Sequence, residues 1–206
     1  MEDLIVLVAD KNTEYILNAI LQRVPQIENI KPFSYHIVIH YLRDPGIYNS
    51  CHEFLRPFYS KYKFAIVVFD KEGCGENKMN SREIEHLLEK KLAENGWKDN
   101  AAVIVNDPEI ENWVWVNSPH FLNAISWDKN YIDIQNWISR KGFTIKENFK
   151  PIRPKEALES VLKYTNTPRS SSIYFDIGSN ASYKYCTDVS FRKLVSILKK
   201  WFQKEH

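Results

Sequence analysis

The chain has 206 residues, 44% of them hydrophobic and 26% charged, with a formal net charge of +2. That length suits one domain and excludes two full ones, and the balance is that of a globular chain rather than a disordered or fibrous one. Three widely spaced cysteines, Cys51, Cys74 and Cys186, make neither a zinc pair nor a disulfide framework, which fits a reducing cytoplasmic setting. Near-neutral net charge argues neither for nor against nucleic acid. The first apolar run lacks a basic leader and a cleavage site, and no stretch approaches the length of a membrane span.

Residues 4–9, Leu-Ile-Val-Leu-Val-Ala, form a continuous apolar run too short for a helix. They read as a strand buried on both faces, as in a parallel sheet. Helical spacing of Tyr15, Ile16, Ala19, Ile20 and Val24 begins at Thr13 and is expected to stop at Pro25. Residues 35–41 alternate and predict a second strand, with 43–46 as a turn and a helix over 49–61. Residues 64–69 give the clearest buried strand. It runs into Asp70-Lys71-Glu72-Gly73-Cys74-Gly75. Ser81 is the expected N-cap of an amphipathic helix over 82–95, with Ile84, Leu87, Leu88 and Leu92 on its core face and Gly96 closing it. Residues 101–105 are the fourth apolar strand.

Strand and helix thus alternate over the first 117 residues, which predicts an α/β fold with a mainly parallel sheet flanked by helices. Residues 118–150 read as short helices and loops, and 156–164 and 189–202 as helices. The division expected is an α/β core over 1–117 and a helical C-terminal part over 118–206 packed on it as one compact unit.

Ligands of open α/β sheets bind beyond the carboxyl ends of the strands. Three strands here run into acids: the first into Asp10 with Glu14 a turn later, the third into Asp70 and Glu72, the fourth into Asp107, Glu109 and Glu111. Convergent carboxylates repel and need compensation, and Mg²⁺ or Mn²⁺ is the compensation that oxygen ligands suit best. Asp10 and Asp107 also read as caps of the helices that follow them.

Asp10 before Asn12-Thr13-Glu14, with Asp70-Lys71-Glu72 after a central hydrophobic strand, resembles the Toprim fold of topoisomerases, primases and nucleases of the overcoming-lysogenization-defect family. Asp107-Pro108-Glu109-Ile110-Glu111-Asn112-Trp113 and the closing Cys186-Thr187-Asp188-Val189-Ser190-Phe191-Arg192-Lys193-Leu194 are similar to segments of small bacterial Toprim-like proteins, some of them near phage-defence and DNA-methylation genes. The resemblance spans nearly the whole chain. It implies a metal held by Asp10, Asp70, Glu72, Glu109 and Glu111, catalytic roles for Asp10, Glu14, Asp70 and Glu72, and cleavage of a DNA or RNA phosphodiester. Lys11, Lys71, Arg169 and the basic stretch from Lys184 to Lys204 are then expected near the backbone phosphates. Two positions depart from the family: Asp10-Lys11 stands where Glu-Gly is usual, and Asp70-x-Glu72 where Asp-x-Asp is usual. They open the alternative of a non-catalytic module that binds nucleic acid or a partner protein of a defence complex. A metal-dependent phosphatase is a third reading.

His36, His40 and His52, with Asp44, form another polar group. Even spacing puts His36 and His40 on one sheet face, with His40 nearest the acidic edge. Gly73-Cys74-Gly75 lacks the Gly-Lys-Ser/Thr of a phosphate-binding loop. Arg169-Ser170-Ser171-Ser172 reads equally as a phosphate loop or a helix cap. The tryptophans are expected mostly in the core.

Overall fold

The computed structural model describes residues 1–183 and 186–204. Four strands, β1 (Glu2–Val8), β2 (Tyr35–Ile39), β3 (Tyr62–Asp70) and β4 (Ala101–Asn106), pair in the order β2-β1-β3-β4, all parallel. Helices connect them: α1 (Lys11–Ile27), α2 (Arg43–Leu55) and α3 (Ser81–Leu92). After β4 come α4 (Glu111–Val114), α5 (Pro119–Ala124), α6 (Tyr131–Arg140), α7 (Pro154–Tyr164), α8 (Ser171–Asn180) and α9 (Val189–Trp201). The expected α/β class, with a parallel sheet between helices, is the one observed.

The continuous apolar runs follow from the sheet being covered on both faces. Leu4, Val6 and Val8 of β1, with Phe64, Ile66 and Val68 of β3, face one core; Ile5, Leu7 and Ala9, with Ala65, Val67 and Phe69, face the other. The first core takes Ile16, Leu17, Ile20, Leu21 and Val24 of α1 together with the C-terminal helices. The second takes Ile47, Cys51 and Leu55 of α2 and Ile84, Leu88 and Leu92 of α3. The chain moves outward from β1 to β2, then crosses back past β1 to β3. Crossovers of one hand in opposite directions put α1 and α2 on opposite faces, so a crevice opens between β1 and β3 at their carboxyl ends.

The C-terminal helices lie against the sheet layer. Helix α8 packs on α1 closely enough that a Cβ on Gly178 would sit 2.8 Å from Ala19 Cβ. Trp201 beyond α9's middle stacks on Phe64, with ring centroids 4.4 Å apart. Helix α3 closes the open edge of β4: Glu89 Oε1 accepts from Val103 N–H and Glu85 Oε1 from Val105 N–H, each at 3.0 Å. Those donors would otherwise invite another strand. Lys193 of α9 neutralises both acids, 3.1 Å from Glu85 and 2.9 Å from Glu89.

Several local expectations are corrected. Residues 43–46 are not a turn: α2 starts at Arg43, because Pro is tolerated in a helix's first turn, and the helix ends at Leu55 with a 3₁₀ turn, Arg56–Phe58, after it. Pro25 does not stop α1, which runs to Ile27. Asn80, not Ser81, caps α3, through a capping box with Glu83. Strand β2 ends at Ile39, so the even spacing of His36 and His40 does not put them on one face; His36 is exposed and His40 buried. Trp113, Trp115 and Trp127 are core residues, as expected.

Candidate functional site

The acids after β1, β3 and β4 share the carboxyl edge of the sheet, but they divide into a buried group and an exposed one. Asp70, the last residue of β3, is the anchor. Its Oδ1 accepts from Ile110 N–H at 2.9 Å and from Asn106 Nδ2 at 3.2 Å, so the loop after β4 is folded over it. Its own N–H donates to Asp44 Oδ1 at 2.9 Å. Burial, reinforced by Glu111, Asp44 and Asp10, holds the Asp70 carboxyl well above its usual range. The Asp44 carboxyl is raised as well, by burial first and by Asp10 among its neighbours.

Glu109 and Glu111 are 4% and 2% exposed. Glu111 Oε1 accepts from Tyr174 Oη at 2.6 Å, and Arg169 Nη2 lies 4.0 Å from the same oxygen. Glu109 Oε1 pairs with Lys155 Nζ at 3.2 Å. The second oxygen of each, Glu109 Oε2 and Glu111 Oε2, is buried without a hydrogen-bond partner. Burial, then the charge of Glu111, pushes the Glu109 carboxyl up to about 7 against the pull of Lys155. The Glu111 carboxyl is raised by burial, with the Tyr174 hydroxyl and nearby cations opposing.

The other sequence candidates are less buried, although Asp10 is near enough to raise Asp70 and Asp44, and Glu72 to raise Glu109. Asp10 caps α1, accepting from Thr13 N–H at 2.8 Å, as expected. Glu14 occupies the first turn of α1, and its carboxylate has no hydrogen-bond or ion-pair partner among the described residues. Glu72 is exposed at the surface, its backbone N–H donating to Pro108 O at 3.1 Å. Asp107 does not cap a following helix; its Oδ2 accepts from Lys71 Nζ at 3.2 Å and from Ser81 Oγ at 2.6 Å. Lys71 is therefore spent on Asp107. The C-terminal lysines are partly spent too, with Lys199 2.9 Å from Glu28 and Lys204 Nζ donating to Asn29 Oδ1 at 2.6 Å; Lys184 lies outside the described residues. Ser170 caps α8, and Arg169 pairs with Glu159.

Lys155 and Tyr174 are site residues with no signal in the sequence, and Asp44, grouped there with the histidines, joins the acids instead. The turn-like Asp-Pro-Gly context of Asp44 gives no hint of that placement, and Lys155 and Tyr174 come from α7 and α8, far along the chain. Cys74 is a buried thiol whose pKa burial raises, which disfavours the thiolate.

Beside the buried acids lies a cleft of about 640 Å³ between the ends of β1 and β2, the start of α7 and the segment before α8. Lys11, Arg43, Lys155 and Arg169 line it, with Asp10 as its one carboxylate. His40 forms part of its wall, 1% exposed, and burial lowers its pKa, so the ring is neutral at pH 7. Gly46 makes room for that ring: a Cβ there would sit 2.3 Å from His40 Nδ1.

Two unpartnered buried carboxylate oxygens beside Asp70 are hard oxygen donors of the kind Mg²⁺ or Mn²⁺ takes. Among the described residues, no three His, Cys, Asp or Glu side chains already form a metal-holding group, so the donors would have to draw together around an ion. Nor, among those residues, is any helix long and apolar enough to cross a membrane. No family model, curated protein or solved structure matches this chain.

Proposed function

We propose that the protein is a divalent-metal-dependent phosphodiester hydrolase acting on DNA or RNA. The observation that carries this reading is the pair of buried carboxylate oxygens, Glu109 Oε2 and Glu111 Oε2, left without partners beside Asp70 and next to a cation-lined cleft. Buried acceptors without partners are costly and call for compensation. Glu109, Glu111 and Asp70 would hold the ion. When bound, such an ion supplies an activated water and charge stabilisation for in-line displacement at phosphorus. The chain's own part is to place the phosphate: Lys11, Arg43 and Arg169 draw it into the cleft, and Lys155 bridges the cleft and the acids. Toprim-like ancestry agrees with this chemistry and rests on the sequence motifs alone. A role in phage defence rests on the same resemblance.

A second reading is favoured by one observation. Lys155 and Arg169 already pair with the acids, as they would in a module that binds nucleic acid or a partner protein without cleaving. Purified protein incubated with single- and double-stranded DNA and RNA, with Mg²⁺ or Mn²⁺ and with chelator, separates the two. The hydrolase reading expects ion-dependent cleavage, lost in Glu111→Gln and in Asp70→Asn, with calorimetric Mn²⁺ binding lost in the same variants. No cleavage of any substrate by folded wild type, or cleavage unchanged in both variants, overturns it.

A further inference from the structure

The cleft beside the acids has one feature that phosphate chemistry does not use. Tyr41, at its mouth, is 77% exposed. One face of its ring is covered by His40, with centroids 4.8 Å apart and planes 15° from parallel. His40 is itself buried and backed by Phe54 at 4.9 Å. Tyr41 is thus an aromatic platform supported from below, with its outer face open to solvent. An exposed tyrosine costs solubility and orders water on its apolar face, and a backed ring loses little entropy when a second ring stacks on it.

The charges around it are placed for an anion. Lys11 and Arg43 have no ion-pair or hydrogen-bond partner for their side chains among the described residues. Arg43 also holds a left-handed backbone, φ +54°, which an arginine rarely adopts. Asp10, the cleft's carboxylate, is turned into its own helix cap. Lys155 and Arg169 are paired with Glu109, Glu111 and Glu159, so Lys11 and Arg43 are the lining cations that no acid among the described residues engages.

Its volume of about 640 Å³ falls in the small-ligand range of roughly 300–1,000 Å³. That is room for a nucleotide unit, not for a side-on duplex. Base faces in a duplex are already stacked on each other, and only an unpaired nucleotide can offer one to Tyr41.

We infer that this cleft is a docking site for single-stranded nucleic acid, with one base stacked on the outer face of Tyr41 and the adjoining phosphates held by Lys11, Arg43 and Arg169. The inference rests on the phosphodiester reading for the site's purpose, and names its substrate as an unpaired strand. Nothing in it requires a metal ion, so binding measured in chelator tests it apart from cleavage.

The experiment is fluorescence anisotropy in EDTA, using an end-labelled oligothymidylate of about 12 nucleotides, a size within single-strand site lengths. An abasic strand of equal length and a duplex of equal length are the comparisons. The expected result is that the thymidylate strand binds more tightly than either. Tyr41→Ala should weaken thymidylate binding about tenfold, the usual cost of one lost stack, while Tyr41→Phe retains it. Affinity for the abasic strand should be the same in Tyr41→Ala as in wild type. Lys11→Ala and Arg43→Ala should each reduce the dependence of log affinity on log salt by about 0.7, the value for one phosphate contact on a single strand. Equal binding of strand and duplex, an unchanged thymidylate affinity in Tyr41→Ala, or equal losses on thymidylate and abasic strands would each overturn the inference. So would no binding by wild type at low salt. If the strand binds as expected but is not cut when metal is added, the docking site stands and the hydrolase reading fails. If metal-dependent cleavage occurs while Tyr41→Ala binds and cuts as wild type does, the hydrolase reading stands and this site fails.

Discussion

Replacing Glu109 by glutamine should remove part of the protein's loss of stability between pH 5 and pH 8. Glu109 is 4% exposed and its carboxyl is pushed up to about 7 by burial and by Glu111. A carboxyl whose pKa is higher folded than unfolded binds more protons in the folded state. Its contribution is therefore fully present below the unfolded value near 4.5 and is lost as pH rises through about 7. The full shift corresponds to about 3 kcal/mol at most. Lys155, 42% exposed, opposes that shift, so screening of its charge does not lessen it. For a domain of this size such a loss amounts to roughly 6–12 °C in melting temperature at most. Glutamine keeps the shape and an acceptor for Lys155 but cannot ionise. Thermal unfolding of both proteins in chelator, at half-unit steps from pH 5 to pH 8, should show nearly equal melting temperatures at pH 5 and the variant melting higher at pH 8. Parallel curves over that range, or a variant that loses ground as pH rises, would refute the assignment of the raised carboxyl to Glu109.

Gly178→Ala should lower stability by about 1–3 kcal/mol, the range for overpacking, because its Cβ would meet Ala19 Cβ at 2.8 Å and Ile16 O at 3.0 Å where α8 crosses α1; urea denaturation measures it. Asp44→Ala should cost about 1–3 kcal/mol by leaving the Asp70 N–H without its acceptor, whereas Asp44→Asn keeps an acceptor at Asp70 and should cost less in the same assay. Trp113→Phe should also cost about 1–3 kcal/mol, since the buried indole N–H donates to Ser190 Oγ at 2.8 Å and to Asp188 Oδ1 at 3.2 Å. Glu85→Ala should loosen the outer edge of β4, seen as faster amide hydrogen exchange at Val105, whose N–H loses its acceptor.

Much of the fold is local information. Residues 4–9 and 64–69 are strands because an unbroken run of β-branched and aliphatic residues of that length has no exposed face to spare, and the even and odd positions of each go to different cores. Helices α7 and α9 follow from their apolar spacing within a residue or two of the bounds read from it. The Asp10 cap, too, needs only three residues to recognise. Where local signals failed, they failed at short polar segments: Asp44-Pro45-Gly46 has turn chemistry and helix-start chemistry at once, and packing of Ile47, Cys51 and Leu55 under the sheet decides for the helix.

The sequence by itself determined that acids would follow β1, β3 and β4 and that the sheet would gather them at one edge. Only the tertiary structure decided which of them are buried together. Glu72 and Asp107 lie as close in sequence to a strand end as Glu109 does, yet they face solvent and a surface lysine, while Glu109 and Glu111 turn inward over Asp70. Lys155 arrives from α7, 46 residues beyond Glu109, and the Tyr174 hydroxyl from α8, 63 residues beyond Glu111, with Arg169 just ahead of α8. Charge environment depends on distance and dielectric in three dimensions, and neither is a function of separation along the chain.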